Sequence, residues 1–132
     1  MRRIGIALGM ASLLYAGGVS AQQGSPPVQD PRAAFAITDT NGDGEIDHAE
    51  FYARMVDVFY FSDKDKDGLA KRGEMHVWDE DALFDRADQD GDGKISLKEY
   101  VAARYQDFER ADTDHSGTLS LDEVIAEFES RN

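Results

Sequence analysis

The chain has 132 residues, with 14 Lys+Arg against 27 Asp+Glu and a formal net charge of −13. That is one domain's worth of length, and the acidic balance argues against nucleic acid or an anionic membrane surface as a partner, since both need clustered Lys and Arg. With no cysteine, disulfides, thiolate metal sites and cysteine nucleophiles are excluded.

Arg2 and Arg3 form a short positive region ahead of the mostly apolar run Ile4 to Val19, which ends in Val19-Ser20-Ala21. This is the pattern of a secretory signal peptide over residues 1–21, cut between Ala21 and Gln22. The apolar run is shorter than the ~20 residues a membrane-spanning helix needs, and Gly5, Gly9, Gly17 and Gly18 interrupt it. An exported protein, periplasmic or secreted, is therefore expected. It would have no membrane span after cleavage, and without disulfides it would need another stabiliser, for which a structural metal is a common solution at this size.

Residues 22–30 read as a flexible linker. Asp30-Pro31 then reads as a helix N-cap followed by proline at the first helical position. From there the chain repeats itself. Four 12-residue segments, 39–50, 63–74, 88–99 and 112–123, each open with Asp, close with Glu and carry Gly at the sixth position. Phe35, Phe59, Phe84 and Phe108 stand four residues before each opening Asp, and Phe51, Met75, Tyr100 and Val124 follow each closing Glu. Phe51, Met55 and Phe59 recur at helical spacing, as do Tyr100, Arg104 and Phe108, with Val101 and Tyr105 adding a neighbouring face. These apolar positions are expected to form the core.

Each segment places oxygen donors at positions 1, 3, 5 and 12. Ca²⁺ takes six to eight oxygens at about 2.3–2.6 Å with loose angular demands. Short Asp or Asn side chains at alternate positions reach inward, a glycine at position 6 permits the sharp turn, a backbone carbonyl serves at position 7, and a Glu at position 12 reaches back. The segments hold 17 of the 27 acidic residues at fixed spacing, which is not the pattern of a merely solvated acidic surface.

Four such segments in register, with their flanking phenylalanines, resemble the EF-hand calcium-binding family from about Pro31 to the C-terminus. The resemblance implies an all-α array over residues 31–132, with about five helices linked by four 12-residue calcium loops and up to four bound Ca²⁺. Carried over by position, the ligands in the first loop are Asp39, Asn41, Asp43, the carbonyl of Glu45, and Glu50. In the third loop they are Asp88, Asp90, Asp92, the carbonyl of Lys94, and Glu99. In the fourth they are Asp112, Asp114, Ser116, the carbonyl of Thr118, and Glu123. Asp47, Ser96 and Ser120 take the water-mediated place. Ile46, Ile95 and Leu119 stand at position 8, which bridges to a partner loop.

The second loop has Asp63, Asp65, Asp67, the carbonyl of Leu69, and Glu74 in place. It departs from the pattern at position 8, which is Ala70, and at position 9, which is Lys71. Lys64, Lys66 and Arg72 add further positive charge, so this loop is expected to bind most weakly, with salt screening part of the repulsion.

Only 12 residues separate Glu50 from Asp63, and no Pro or Gly breaks Phe51–Ser62 or Tyr100–Ala111. Successive loops should therefore share a helix of about 20 Å. This spacing predicts the first and third loops at one end and the second and fourth at the other, pairing Ile46 with Ile95 and Ala70 with Leu119.

Calcium binding leaves several jobs open. A buffer or a calcium-stabilised binding module suits an exported protein whose sites work near 10⁻⁴–10⁻³ M. A sensor would expose an apolar groove to a protein partner, but only Met55 and Met75 remain beyond residue 21 to line a Met-rich one. Catalysis is not expected. The acid pairs are accounted for as ligand sets; His48, His76 and His115 are scattered; and there is neither a nucleophile elbow nor a phosphate-cradling loop. Asp79-Glu80-Asp81 reads as a helix surface or as a docking patch for a basic protein partner, and Trp78 beside it as core or as an exposed anchor for an apolar one.

Overall fold

A computed structural model describes residues 28–74 and 80–131. The leader over residues 1–21, most of the linker, and Met75, His76, Trp78 and Asp79 lie outside the described residues. Among those described, five helices alternate with four short strands. The helices are α1 (Pro31–Thr38), α2 (His48–Ser62), α3 (Glu80–Ala87), α4 (Leu97–Ala111) and α5 (Leu121–Glu129); the strands are β1 (Glu45–Ile46), β2 (Leu69–Lys71), β3 (Lys94–Ser96) and β4 (Leu119–Ser120). The sheets are minor and the chain is mostly helical, as the repeat pattern implies. No described helix is long and apolar enough to cross a membrane.

Local chemistry sets the helix ends. Asp30 caps α1 by accepting from the Arg32 amide at 3.0 Å, with Pro31 in the first turn. The loop-opening residues Asp39, Asp63, Asp88 and Asp112 each donate their amide to the carbonyl of the phenylalanine four residues earlier, at 2.8–2.9 Å. The Phe-to-Asp spacing of the repeat is therefore one helical turn: the ring enters the core while the same residue's carbonyl closes the helix.

α2 and α4 are 15 residues each, about 22 Å long, and they pack together as the centre of the molecule. Phe35, Phe59, Phe84 and Phe108 are all buried, with Phe51, Met55, Tyr100, Ile46, Ile95 and Leu119 around them. Phe51 meets Phe108 edge-on at 5.1 Å, and Phe59 meets Tyr100 at 5.7 Å. Arg104 departs from its apolar neighbours at helical spacing and is only half-buried.

Loop pairing differs from the expected arrangement. β1 pairs antiparallel with β4, placing Ile46 opposite Leu119. β2 pairs with β3, placing Ala70 opposite Ile95. The first and fourth loops thus share one end, and the second and third share the other. α2 and α4 do carry the chain from end to end. The connection between the second and third loops does not, because its described part, α3, has only 8 residues and is about 12 Å long. With β1 and β4 paired at one end and β2 and β3 at the other, α2 and α4 run antiparallel.

A buried ion cluster ties three helices together. Asp107 on α4 is 4% exposed. Its carboxylate meets Arg86 of α3 at 3.0 Å, Arg104 and Arg110 of its own helix at 2.9 and 2.5 Å, and Arg131 beyond α5 at 3.4 Å. Arg110 and Arg131 also reach Glu127 of α5. Removing one partner of a buried pair costs about 3–5 kcal/mol, and the arginine tips that reach solvent put this cluster at the low end. Asp107→Ala should destabilise the calcium-loaded protein by about 3 kcal/mol in chemical denaturation. The pairing makes a second prediction. Leu119→Ala should weaken calcium binding at loops 39–50 and 112–123 together and leave 88–99 unchanged, as read from loop-resolved amide shifts during titration.

Candidate metal centres

Each loop is folded around its first carboxylate. In the first loop, Asp39 Oδ1 accepts from the amides of Gly42 at 2.8 Å and Asp43 at 3.2 Å, and Oδ2 accepts from Gly44 at 3.0 Å. Asp88 accepts from Gly91, Asp92 and Gly93 in the same way. Asp112 accepts from Ser116 and Gly117, and Asp63 from Asp67 and Gly68. Position 3 accepts from the amide of position 5, and position 5 from the amide of position 7, as in Asn41 to Asp43 at 2.8 Å and Asp43 to Glu45 at 2.9 Å. These bonds turn the donors towards one another and leave further lone pairs on each carboxylate.

The closing glutamate completes the ring. Glu50 accepts from the amides of Thr40 and Asn41 at the start of the loop and from Asp47 at its end, at 3.0–3.1 Å. Glu99 accepts from Gln89 and Ser96, and Glu123 from Thr113 and Ser120. Asp47, Ser96 and Ser120 in turn cap α2, α4 and α5, so each forms a reciprocal capping box with its glutamate. This capping role was absent from the positional reading, although Ser-x-x-Glu at 96–99 and 120–123 is a readable sign of it.

Ligand oxygens converge. One carboxylate oxygen from each of Asp88, Asp90 and Glu99 lies within 4.8 Å of the others. The same holds for Asp112, Asp114 and Glu123, and for Asp63, Asp65 and Glu74. That spacing suits oxygens sharing one hard cation at about 2.3–2.6 Å. The repulsion is visible in Asp90. The Asp92 amide pulls its carboxyl down, but burial and the charges of Asp92, Glu99 and Asp88 outweigh that bond and push it up. Glu50 and Glu99 are held low, chiefly by the amides of Asp47 and Ser96 respectively.

The position-7 residues stand at the paired strands. Glu45, Leu69 and Lys94 open β1, β2 and β3, and Thr118 directly precedes β4. The Thr118 hydroxyl donates to the Glu45 carboxylate at 2.9 Å, an additional tie between the first and fourth loops. His48 is exposed, yet it sets its ring edge-on to Phe108 at 4.6 Å.

Position 4 carries no common residue type in the repeat, yet its backbone is left-handed in every loop. It is Gly42 and Gly91 in two loops, but Lys66 (φ 61°) and His115 (φ 56°) in the others. A residue with a Cβ costs roughly 1–2 kcal/mol there, while glycine forfeits about 0.4–1 kcal/mol through its freer unfolded chain. His115→Gly should therefore stabilise the protein by somewhat under about 1 kcal/mol, measured as a rise in the denaturation midpoint.

The second loop is arranged differently at its exit. Lys71 replaces the capping acceptor, and Gly73 takes φ 93°. Residues 72–74 form a turn rather than the first turn of a helix, with the Glu74 amide bonded to the Lys71 carbonyl at 3.0 Å. The Lys71 ammonium donates to the Asp65 carboxylate and, at 2.9 Å, to that of Asp67.

The sequence pattern of the EF-hand family matches residues 32–56, 80–102 and 106–128, just over half of the chain. The chain belongs to the EF-hand family. No curated protein matches it. The family match and the converging acidic loops make it a calcium-binding protein of a family that is typically non-enzymatic. Each match spans a loop whose exit helix begins with a capping box. The match passes over residues 57–79, which contain the second loop.

Proposed function

We propose that the protein is an exported calcium buffer or calcium-stabilised binding module. Its principal sites are the loops 39–50, 88–99 and 112–123, and the loop 63–74 is the weakest. The observation that carries this reading is the convergence of three carboxylates in each of the loops 88–99 and 112–123, whose geometry is set by their own backbone amides, as it also is in 39–50. Holding like charges this close is costly without a cation, so calcium binding doubles as fold stabilisation. The leader pattern at residues 1–21 supports export to the periplasm or outside the cell, where sites near millimolar affinity remain filled.

One observation favours a sensor as the second reading. Leu121, Val124, Ile125 and Phe128 lie on one face of α5 and are only half-buried. Val124 and Phe128 line a cavity of about 390 Å³ with Phe35, Met55, Val58 and Phe108. An apolar protein partner would use that face.

Calorimetric titration of the metal-stripped protein with Ca²⁺ and then Mg²⁺ tests both readings. A buffer or module gives calcium-selective sites, with Glu99→Gln and Glu123→Gln each removing one, and no rise in binding of an apolar dye. A rise in dye binding on loading would favour the sensor, and no calcium binding by heat or by amide shifts would overturn both. Recovery from the periplasm or medium of a chain beginning at Gln22 checks export.

A further inference from the structure

The second loop departs from its siblings in a way that charge counting does not capture. Of its four cations, three are directed away from the carboxylates. The Lys64 ammonium sits 4.5 Å over the Phe61 ring. Lys66 donates to the Tyr60 carbonyl near the end of α2, where a cation suits the helix dipole. Arg72 lies 4.3 Å over the Phe84 ring and pairs with Asp85 of α3. Lys71 alone of these four turns inward, onto Asp65 and Asp67 at ligand positions 3 and 5.

Asp63, Asp65 and Glu74 nevertheless converge as tightly as their counterparts in the third and fourth loops. Asp63 is buried, and its carboxylate accepts from the Gly68 amide at 2.8 Å. The loop therefore has the shape of a metal site, with an ammonium on two of its donors. Its strand is also fully paired, with Leu69, Ala70 and Lys71 opposite Ser96, Ile95 and Lys94 of the third loop. Two lysines directly opposite would repel, but the Lys71 charge is held on its own loop's acids.

Resting on the calcium reading above, we propose that the Lys71 ammonium is the resident cation of the loop 63–74. It neutralises positions 3 and 5 in place of a metal ion, so the chain binds three calcium ions rather than four. The second loop then keeps its shape in the absence of calcium and holds β2 against β3, presenting the loop 88–99 in paired form before any ion arrives. A tethered cation needs no particular calcium level, and it cannot diffuse away.

The test compares the full chain with Lys71→Ser, which restores the residue found at the equivalent Ser96, with Lys71→Gln, which keeps length without charge, and with Lys71→Arg. Two readouts are taken: calcium stoichiometry by calorimetry, and amide hydrogen exchange at Ala70 and Ile95 in the stripped protein. The wild type and Lys71→Arg should bind three ions and protect both amides without calcium. Lys71→Ser and Lys71→Gln should each gain a fourth site, about tenfold or more tighter than any residual binding at that loop, and Glu74→Gln should abolish the gain. Both should lose protection at Ala70 and Ile95 until calcium is added. Four ions in the wild type, or three in both neutral variants with protection intact, would overturn the proposal. If the wild type bound no calcium at the other loops, the calcium reading would fail, while exchange in the stripped protein would still decide the role of Lys71.

Discussion

Carboxylates gathered within 4.8 Å of one another do not stay there unaided. Water and screening soften the repulsion, but a loop that holds four acids must spend hydrogen bonds or a cation to keep its shape. Here the backbone amides supply the first part of the compensation. Asp39, Asp88 and Asp112 each draw in amides from their own loop, and Glu50, Glu99 and Glu123 each span the loop from its second residue to its ninth. The raised Asp90 carboxyl marks where that compensation falls short. On the function proposed above, a divalent cation supplies the remainder, which would couple metal binding to local folding.

The helices transmit that local balance to the whole molecule. α2 and α4 each start at a capping box fed by a loop glutamate and end at the opening aspartate of the next loop. Both are therefore clamped at each end by residues of the acidic loops. Because they run antiparallel, the pairs β1–β4 and β2–β3 close the two ends of the same central unit. Asp107 joins α3, α4 and the end of α5 between those ends. Loss of an ion at one loop should be felt first by its strand partner and only then by the other end.

Much of this was legible in the sequence. The position-specific donors, the buried phenylalanines and the two long helices all follow from spacing, because a repeat of 24 or 25 residues leaves room for little besides a 12-residue loop and three helical turns. The pairing of the loops was not legible, since it depends on the connection between the second and third loops. The 13 residues there, against 12 in each of the other two connections, include only a short α3 among the described positions, and counting residues does not distinguish a crossing from a return. Asp107 was overlooked for a different reason. Its i±3 arginines announce a surface pair, whereas burial and the contribution of Arg86 and Arg131 arise from tertiary packing alone. Lys71 was flagged as a source of repulsion, but direction, rather than charge, separates it from Lys64, Lys66 and Arg72.

That difference in direction bears on how the four loops divide their work. In the loops that match the family pattern, position 9 is a capping acceptor, so the residue that starts the exit helix belongs to the same hydrogen-bonded ring as the closing glutamate. Any cation that draws on Glu50, Glu99 or Glu123 must act on the first turn of the following helix. In the second loop, position 9 is a lysine, and the described part of its exit, through Gly73, is a turn. The closing glutamate still accepts from the Lys71 amide at 2.9 Å, but among the described residues no helix start is linked to it. The substitution at one position thus removes both the cap and the need for an external cation. What it leaves is the strand β2, in register with β3, as the loop's contribution to the site next to it.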